Sequence, residues 1–436
     1  MPSRDCQSSP DSFTLRARYV FPVSGPPIPG GCVSIAGDRI VAVGQSSSAT
    51  SNIRDLGNVA IIPGLVNTHT HLEFSDLAAP LGSPGMGFAH WISQVTASRG
   101  RSTRVAAETA ESSQKIGESS VQRGLQESLA AGTTSVGEIA VAGWSQEPFE
   151  RVPLEVVVFR ELICLSPARI PLAIDTAREH LESPTAKNWS AGLSPHAPYT
   201  VHPELFARTM DLAVKYNAPM AFHLAESSDE LELLRAGSGP FFDYLSGRGF
   251  WIPGAIPPGT RPLDYLRQMA RAPRGLVVHG NLLDDEEQAF VAQHRDRLSV
   301  IYCPRTHAFF GHPRHPLDRL LARGAHVALG TDSRASNPDL SLLEEMRFVA
   351  RAYPELSGAD VLRLGTLSGA EALGIDQSTG SLTVGKYANL AVIPMPEHDA
   401  QDPHELLFET SHACRTTICR GVPNSVVGVC DPDLQL

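Results

Sequence analysis

The sequence predicts a (β/α)8 barrel of the TIM type, with a small β-sandwich-like domain built from both chain ends. Three observations predict it. Eight short apolar runs alternate with longer stretches whose apolar residues recur at three- and four-residue spacings. The 436 residues accommodate a barrel of about 250 residues plus a satellite. Finally, the two ends of the chain share a texture of short strands and turns that the middle lacks.

At the N-terminal end the strand-like runs are Thr14–Phe21, Cys32–Ala36 and Arg39–Val43, separated by Pro, Gly and Asp punctuation. The same texture returns in Gly380–Ile393 and near Thr416–Val429. Residues 1–60 and 379–436 are therefore assigned to one composite β domain, and residues 61–378 to the barrel. The barrel strands are expected at Ile61–Thr68, Gly132–Ile139, Leu154–Leu162, Ala191–Ser194, Pro219–His223, Gly275–His279, Leu298–Cys303 and His326–Gly330. Helices are expected between most of them, among them Val105–Ala131, Pro203–Tyr216 and Asp284–His294. An open doubly wound sheet is the structural competitor, but no Gly-rich phosphate fingerprint follows the first strand.

Composition narrows the function classes. The net charge is −11, with no Lys/Arg cluster, which argues against nucleic acid and anionic membranes as partners. No run of about 18 apolar residues exists to span a membrane. The seven cysteines are scattered from Cys6 to Cys430 without a CxxC pair, so a reducing compartment is expected. Residues Met1–Phe13 are polar and lack the features of a secretory signal. A cytoplasmic protein with a floppy N-terminus is the expectation.

Metal-capable side chains collect at the C-terminal ends of the predicted strands, where barrel active sites form. Strand one ends in His69-Thr70-His71, and residues i and i+2 of a strand share a face, so both imidazoles can hold one ion. Strand four ends at His196, strand five at His223, strand six at His279 and strand eight at Asp332. A lone buried His is more often a core residue than a ligand, and a lone Asp after a strand is usually a helix cap. The conjunction at five strand ends on one side is what departs from chance. Three imidazoles and a carboxylate suit zinc or another borderline divalent ion, iron included. Glu226 lies three residues past His223; if the chain turns there, its carboxyl comes back beside the metal as a proton shuttle.

Pro63–His71, His223-Leu224-Ala225-Glu226, His279-Gly280-Asn281 and Leu329–Asp332 together resemble the amidohydrolase superfamily. The branch they resemble holds the cytosine, guanine and S-adenosylhomocysteine deaminases and the triazine hydrolases. The likeness covers nearly the whole chain, including the late Gly380–Leu390 segment. It implies that His69, His71, His223 and Asp332 bind one metal ion, that Glu226 shuttles protons, that His279 orients the attacking water, and that His196 binds substrate. No lysine ends strand four, so a carbamylated-lysine bridge between two metals is not expected. The implied reaction is hydrolytic deamination. Activated water attacks the amine-bearing carbon of an N-heterocycle, Asp332 takes the water proton, Glu226 protonates the ring nitrogen, and ammonia leaves.

The Tyr302–His312 segment departs from S-adenosylhomocysteine deaminases. With Glu73-Phe74-Ser75 and Trp91 it resembles aminodeoxyfutalosine deaminases, whose substrate joins an adenine to a benzoate. Arg305, with His307 beside it, then either grips a substrate carboxylate or neutralises nearby acids such as Asp332. The stretch from Leu81 to Gly100, carrying Phe88, Trp91 and Ile92, is either a lid over the base or a helix packed on the barrel rim. Cys303 reads as inert packing. Two alternatives to a deaminase stand beside it: a hydrolase of the same fold with another leaving group (a triazine chlorohydrolase or cyclic amide hydrolase), and a non-enzymatic binding barrel. The expected partner is a small-molecule substrate, and the expected assembly a homodimer.

Overall fold

A computed structural model describes residues 12–45, 52–105, 110–183 and 188–424. Eight strands form one all-parallel sheet in sequential order. They are β1 (Leu65–Thr70), β2 (Thr133–Ala140), β3 (Glu155–Leu162), β4 (Trp189–Pro195), β5 (Met220–Leu224), β6 (Gly275–His279), β7 (Leu298–Tyr302) and β8 (His326–Leu329). The first and last strands meet through a parallel bridge between Thr70 and Asp332, so the barrel closes at the strand end bearing the HxH motif. Closure is tight. A Cβ on Gly330 would sit 2.9 Å from the Cβ of His69 and 3.0 Å from its carbonyl oxygen, so only glycine fits.

Both faces of the sheet are covered, which is why its strands read as continuous apolar runs rather than alternations. Val66, Val157, Phe159, Leu276, Val278 and Ile301 pack together in one core cluster. Their strand neighbours Leu65, Val277 and Val300 pack in another, with helix residues such as Leu205, Met210 and Val291. Burying a side chain of this kind contributes about 1.5–3 kcal/mol.

Two further sheets come from the chain ends. One joins Arg39–Gly44, Cys32–Ala36, Ser12–Arg16 and Ile53–Asp55. The other interleaves both ends of the chain: Val59–Pro63 runs antiparallel to Leu390–Pro394, which pairs with Thr416–Cys419. This corrects the expected first barrel strand. Residues 61–63 belong to the terminal sheet, and β1 begins only at Leu65, after Gly64. At the junction only glycine fits, since a Cβ on Gly64 would overlap the Thr134 side chain at 2.2 Å.

Helix Pro203–Tyr216 has the expected bounds, and Asp285–Gln293 is capped by the Asp284 side chain with Glu287 returning the bond. The expected helix Val105–Ala131 is observed as Ala110–Ala130, and Phe88–Val105 is helical as well. Residues 1–11 and 425–436, which include Cys6 and Cys430 and part of the expected late strand texture, lie outside the described residues. Among the described residues no helix is long and apolar enough to cross a membrane.

Candidate active site

The C-terminal ends of β1, β5, β6 and β8 bring His69, His71, His223, His279, Glu226 and Asp332 to one point. Ligand atoms of His69, His71 and His223 all lie within 4.8 Å of one another. The His71 and His223 Nε2 atoms are 3.3 Å apart, and Asp332 Oδ1 is 3.7 Å from Nε2 of both His69 and His71. The expected HxH geometry is thus what β1 displays, its two imidazoles edge to face at 4.9 Å.

At or just beyond the ends of three of these strands stands a residue of left-handed backbone. Ala225, His279 and Asp332 have φ of 54°, 69° and 57°, a region non-glycine residues seldom occupy. Such residues cluster where surrounding structure over-determines a functional geometry. At Ala225 the effect is direct. The chain turns after β5 and returns Glu226 to the His223 side, where its Oε1 lies 3.3 Å from His279 Nε2. This is the turn that the Glu226 expectation required.

The donor set fits a divalent cation. Nε2 of His69 and Nδ1 of His71 are buried and find no hydrogen-bond partner in the protein. Such orphaned groups are costly in a native interior. His223 Nδ1 donates to the His196 carbonyl at 2.9 Å, which leaves its Nε2 lone pair aimed at the cluster. Burial first, then the His223 imidazole, pushes His69 and His71 well below the usual histidine range. Burial brings His223 to about 3. All three are neutral, as metal ligands must be. Asp332 is raised to about 7, chiefly by burial, and its Oδ2 accepts from Ser336 Oγ at 2.9 Å. Burial, reinforced by the Asp332 and Glu230 carboxylates, holds Glu226 well above the usual carboxylate range.

A cavity of about 240 Å³ opens on this cluster. Helix Phe88–Val105 roofs it with Phe88, Trp91, Ile92, Val95, Thr96 and Arg99. The segment left open between lid and rim helix is therefore a helix that packs on the rim and lines the cavity with the same face. Trp91 is pinned by its indole N–H donating to the Ala335 carbonyl at 3.2 Å and by stacking on Phe88. His196 also lines the cavity, its Nδ1 held by Thr200 Oγ1 at 2.7 Å.

Arg305 is elsewhere, and the carboxylate-grip expectation is corrected. Its Nε lies 2.6 Å from Glu345 Oε1, and its terminal nitrogens lie 3.0 and 2.6 Å from the two Asp339 oxygens. Two acids thus take up the guanidinium, which does not line the cavity, and the acids it neutralises are Glu345 and Asp339 rather than Asp332. His307 does not line the cavity either, its Nε2 bonding the Pro313 carbonyl at 2.9 Å. Cys303 is 1% exposed, and burial raises its thiol well above the ordinary range, as inert packing requires. Arg305→Met is expected to cost about 3–5 kcal/mol of stability, because Glu345 stays buried without its cation. Its effect on kcat/KM should be equal for acidic and neutral substrates. Thermal melts and paired kinetics check both.

Sequence reasoning missed Arg99, the only Arg or Lys lining the cavity among the described residues. It donates from Nε to Glu73 at 3.2 Å, with Glu161 3.8 Å away. The signal was present as spacing: Trp91, Val95 and Arg99 recur every four residues, one face of a helix.

Comparison with known proteins bears on the family and the fold. Residues 60–422 match the sequence model of the amidohydrolase family. A 5-methylthioadenosine/S-adenosylhomocysteine deaminase of Moorella thermoacetica is 28% identical over 423 residues, covering 91% of this chain and 89% of that protein. An aminodeoxyfutalosine deaminase of Deinococcus radiodurans is 28% identical over 375 residues, covering 81% and 83%. The crystal structure of Helicobacter pylori aminofutalosine deaminase with methylthio-coformycin superposes with a TM-score of 0.80, at 22% identity, over 94% of this chain and all of that one.

Proposed function

This chain belongs to the amidohydrolase family, and from that premise we propose that it is a metal-dependent aminohydrolase releasing ammonia from an adenine-bearing nucleoside. The observation that carries the reading is the pairing of the three-histidine cluster with Glu226 and His279 at the end of a single cavity. His69, His71, His223 and Asp332 are the ligands of one divalent ion, zinc by the borderline character of the donor set. When bound, such an ion lowers the pKa of its water from about 15.7 to about 7.

The chain's own residues supply the rest. Glu226 is buried, and burial together with the Asp332 and Glu230 carboxylates favours its protonated form, the form that can deliver a proton to a ring nitrogen. His279, neutral and 3.3 Å from Glu226, orients the attacking water and stabilises the intermediate. Asp332 accepts the water proton. His196 and Trp91 hold the base, the indole edge being fixed by Ala335. Arg99, which lines the cavity and is held by Glu73, faces the substrate's distal substituent. The relatives' names support the adenosine-like class, and both named substrate types belong in the test. The five described free cysteines, all buried, support a reducing, cytoplasmic setting. We assign a homodimer on general frequency alone.

The test is ammonia release from adenosine, 5-methylthioadenosine, S-adenosylhomocysteine and aminodeoxyfutalosine, beside a chlorotriazine and a cyclic amide. Release from at least one adenine nucleoside is expected, with kcat/KM above about 10⁴ M⁻¹s⁻¹ for the preferred one. Chloride release or ring opening without ammonia from any nucleoside overturns the reading.

A further inference from the structure

We propose that Glu230 is a positioning residue for Glu226: its carboxylate holds the turn after β5 by accepting both the Ala225 and the Glu226 backbone N–H groups. The proposal rests on the reading of Glu226 as the proton-transfer group.

The turn needs holding. Ala225 sits in left-handed backbone at φ 54°, and without that turn Glu226 would leave β5 facing away from His223. Glu230 Oε1 accepts from Ala225 N at 2.8 Å and Oε2 from Glu226 N at 3.0 Å. The side chain is fully buried and does not line the cavity, so it acts on the site only through the backbone it grips.

The grip is a helix cap turned to another use. Ser227 caps helix Ser228–Ala236, its Oγ accepting from Glu230 N at 3.3 Å, which makes Glu230 the third residue of the helix. In an ordinary capping box that residue returns a bond to the N-cap amide. Here it reaches past Ser227 to the two residues before it. The carbonyls of the same two residues are held from β6's end of the barrel: Asn281 Nδ2 donates to Glu226 O at 3.0 Å and Leu282 N to Ala225 O at 3.0 Å. Both residues are therefore held at N–H and at C=O, and Glu226 has one direction in which to project.

The experiment compares full-length, zinc-loaded wild type with Glu230→Gln and Glu230→Asp, reading kcat, KM, metal content and amide hydrogen exchange at residues 224–228. Gln presents an NH2 group where an acceptor is needed, so one of the two N–H groups meets a donor. Glu230→Gln is expected to lower kcat about 10- to 100-fold, the range of one charge-assisted hydrogen bond. KM and metal content should stay unchanged, while exchange at Ala225 and Glu226 rises by a similar factor. Asp, which is shorter and reaches one N–H, should fall between, and it decides the matter if the Gln variant does not fold. Wild-type kcat with protected amides in the variants overturns the proposal. So does a kcat loss that tracks metal loss or a general rise in exchange, which would make Glu230 a merely structural residue. If wild type releases no ammonia from any substrate, the functional reading fails, and the exchange data alone still decide whether Glu230 holds the turn.

Discussion

Glu226→Gln is expected to keep its metal and lose at least about 10²-fold in kcat, the low end for a placed acid–base group. Gln has the same size and can keep the contact with His279 Nε2, which lies 3.3 Å from Glu226 Oε1. The backbone clamps at Ala225 and Glu226 do not involve the side chain and should persist. What is lost is the transferable proton. Burial and two nearby carboxylates favour the proton on Glu226, and no amide can replace it. KM should change little, because a group acting only as the bond forms contributes little to ground-state binding. Metal analysis of the purified variant is the deciding control. If metal leaves with the carboxylate, Glu226 is a ligand and its assignment as proton shuttle fails.

Which parts were legible in the sequence follows from the range of the interactions that set them. β6 and helix Pro203–Tyr216 were legible to the residue because a burial pattern and local caps define them. His69 and His71 were legible because a strand's two-residue period puts them on one face without help from elsewhere. The split between Val59–Pro63 and β1 was not, since Val59–Pro63 is claimed by Leu390–Pro394, more than 300 residues away. Arg305 failed for the same reason. Its acids are 34 and 40 residues distant, on a loop and a helix with no pattern linking them to strand seven.

The buried acids that shape the site's rim were illegible throughout. Glu138 on β2 accepts from Leu72 N at 3.1 Å and from Thr70 Oγ1 at 2.6 Å, holding the chain beyond His71. Glu230 does the same after β5, and Glu345 accepts from Arg305 N at 2.8 Å after β7. Each is a carboxylate spent on the N–H groups of a turn. In sequence each looks like any other acid, and only the fold shows that the rim's irregular backbone is satisfied by buried carboxyl groups rather than by a ladder.

Removing the bound ion is expected to lower the rate by at least about 10³-fold, because the drop in water pKa from about 15.7 to about 7 is lost with it. The protein should hold one divalent ion per chain, and one equivalent of zinc should restore the rate. Geometry argues for a single ion. His69, His71 and His223 converge on one point, and Asp332 Oδ1 approaches Nε2 of His69 and His71 at 3.7 Å. His196, just past the end of β4, is not among the side chains whose ligand atoms converge; its Nδ1 contacts Thr200 at 2.7 Å, and its carbonyl is committed to His223. The ion should also stabilise the fold, by about 4 kcal/mol where free zinc stands 1,000-fold above its Kd. Chelation should therefore lower the melting temperature together with the rate, and His223→Ala should abolish both responses to added zinc. Two tightly held ions per chain, or a chelated protein that keeps its full rate, would show that this cluster of histidines is not the reaction's metal centre.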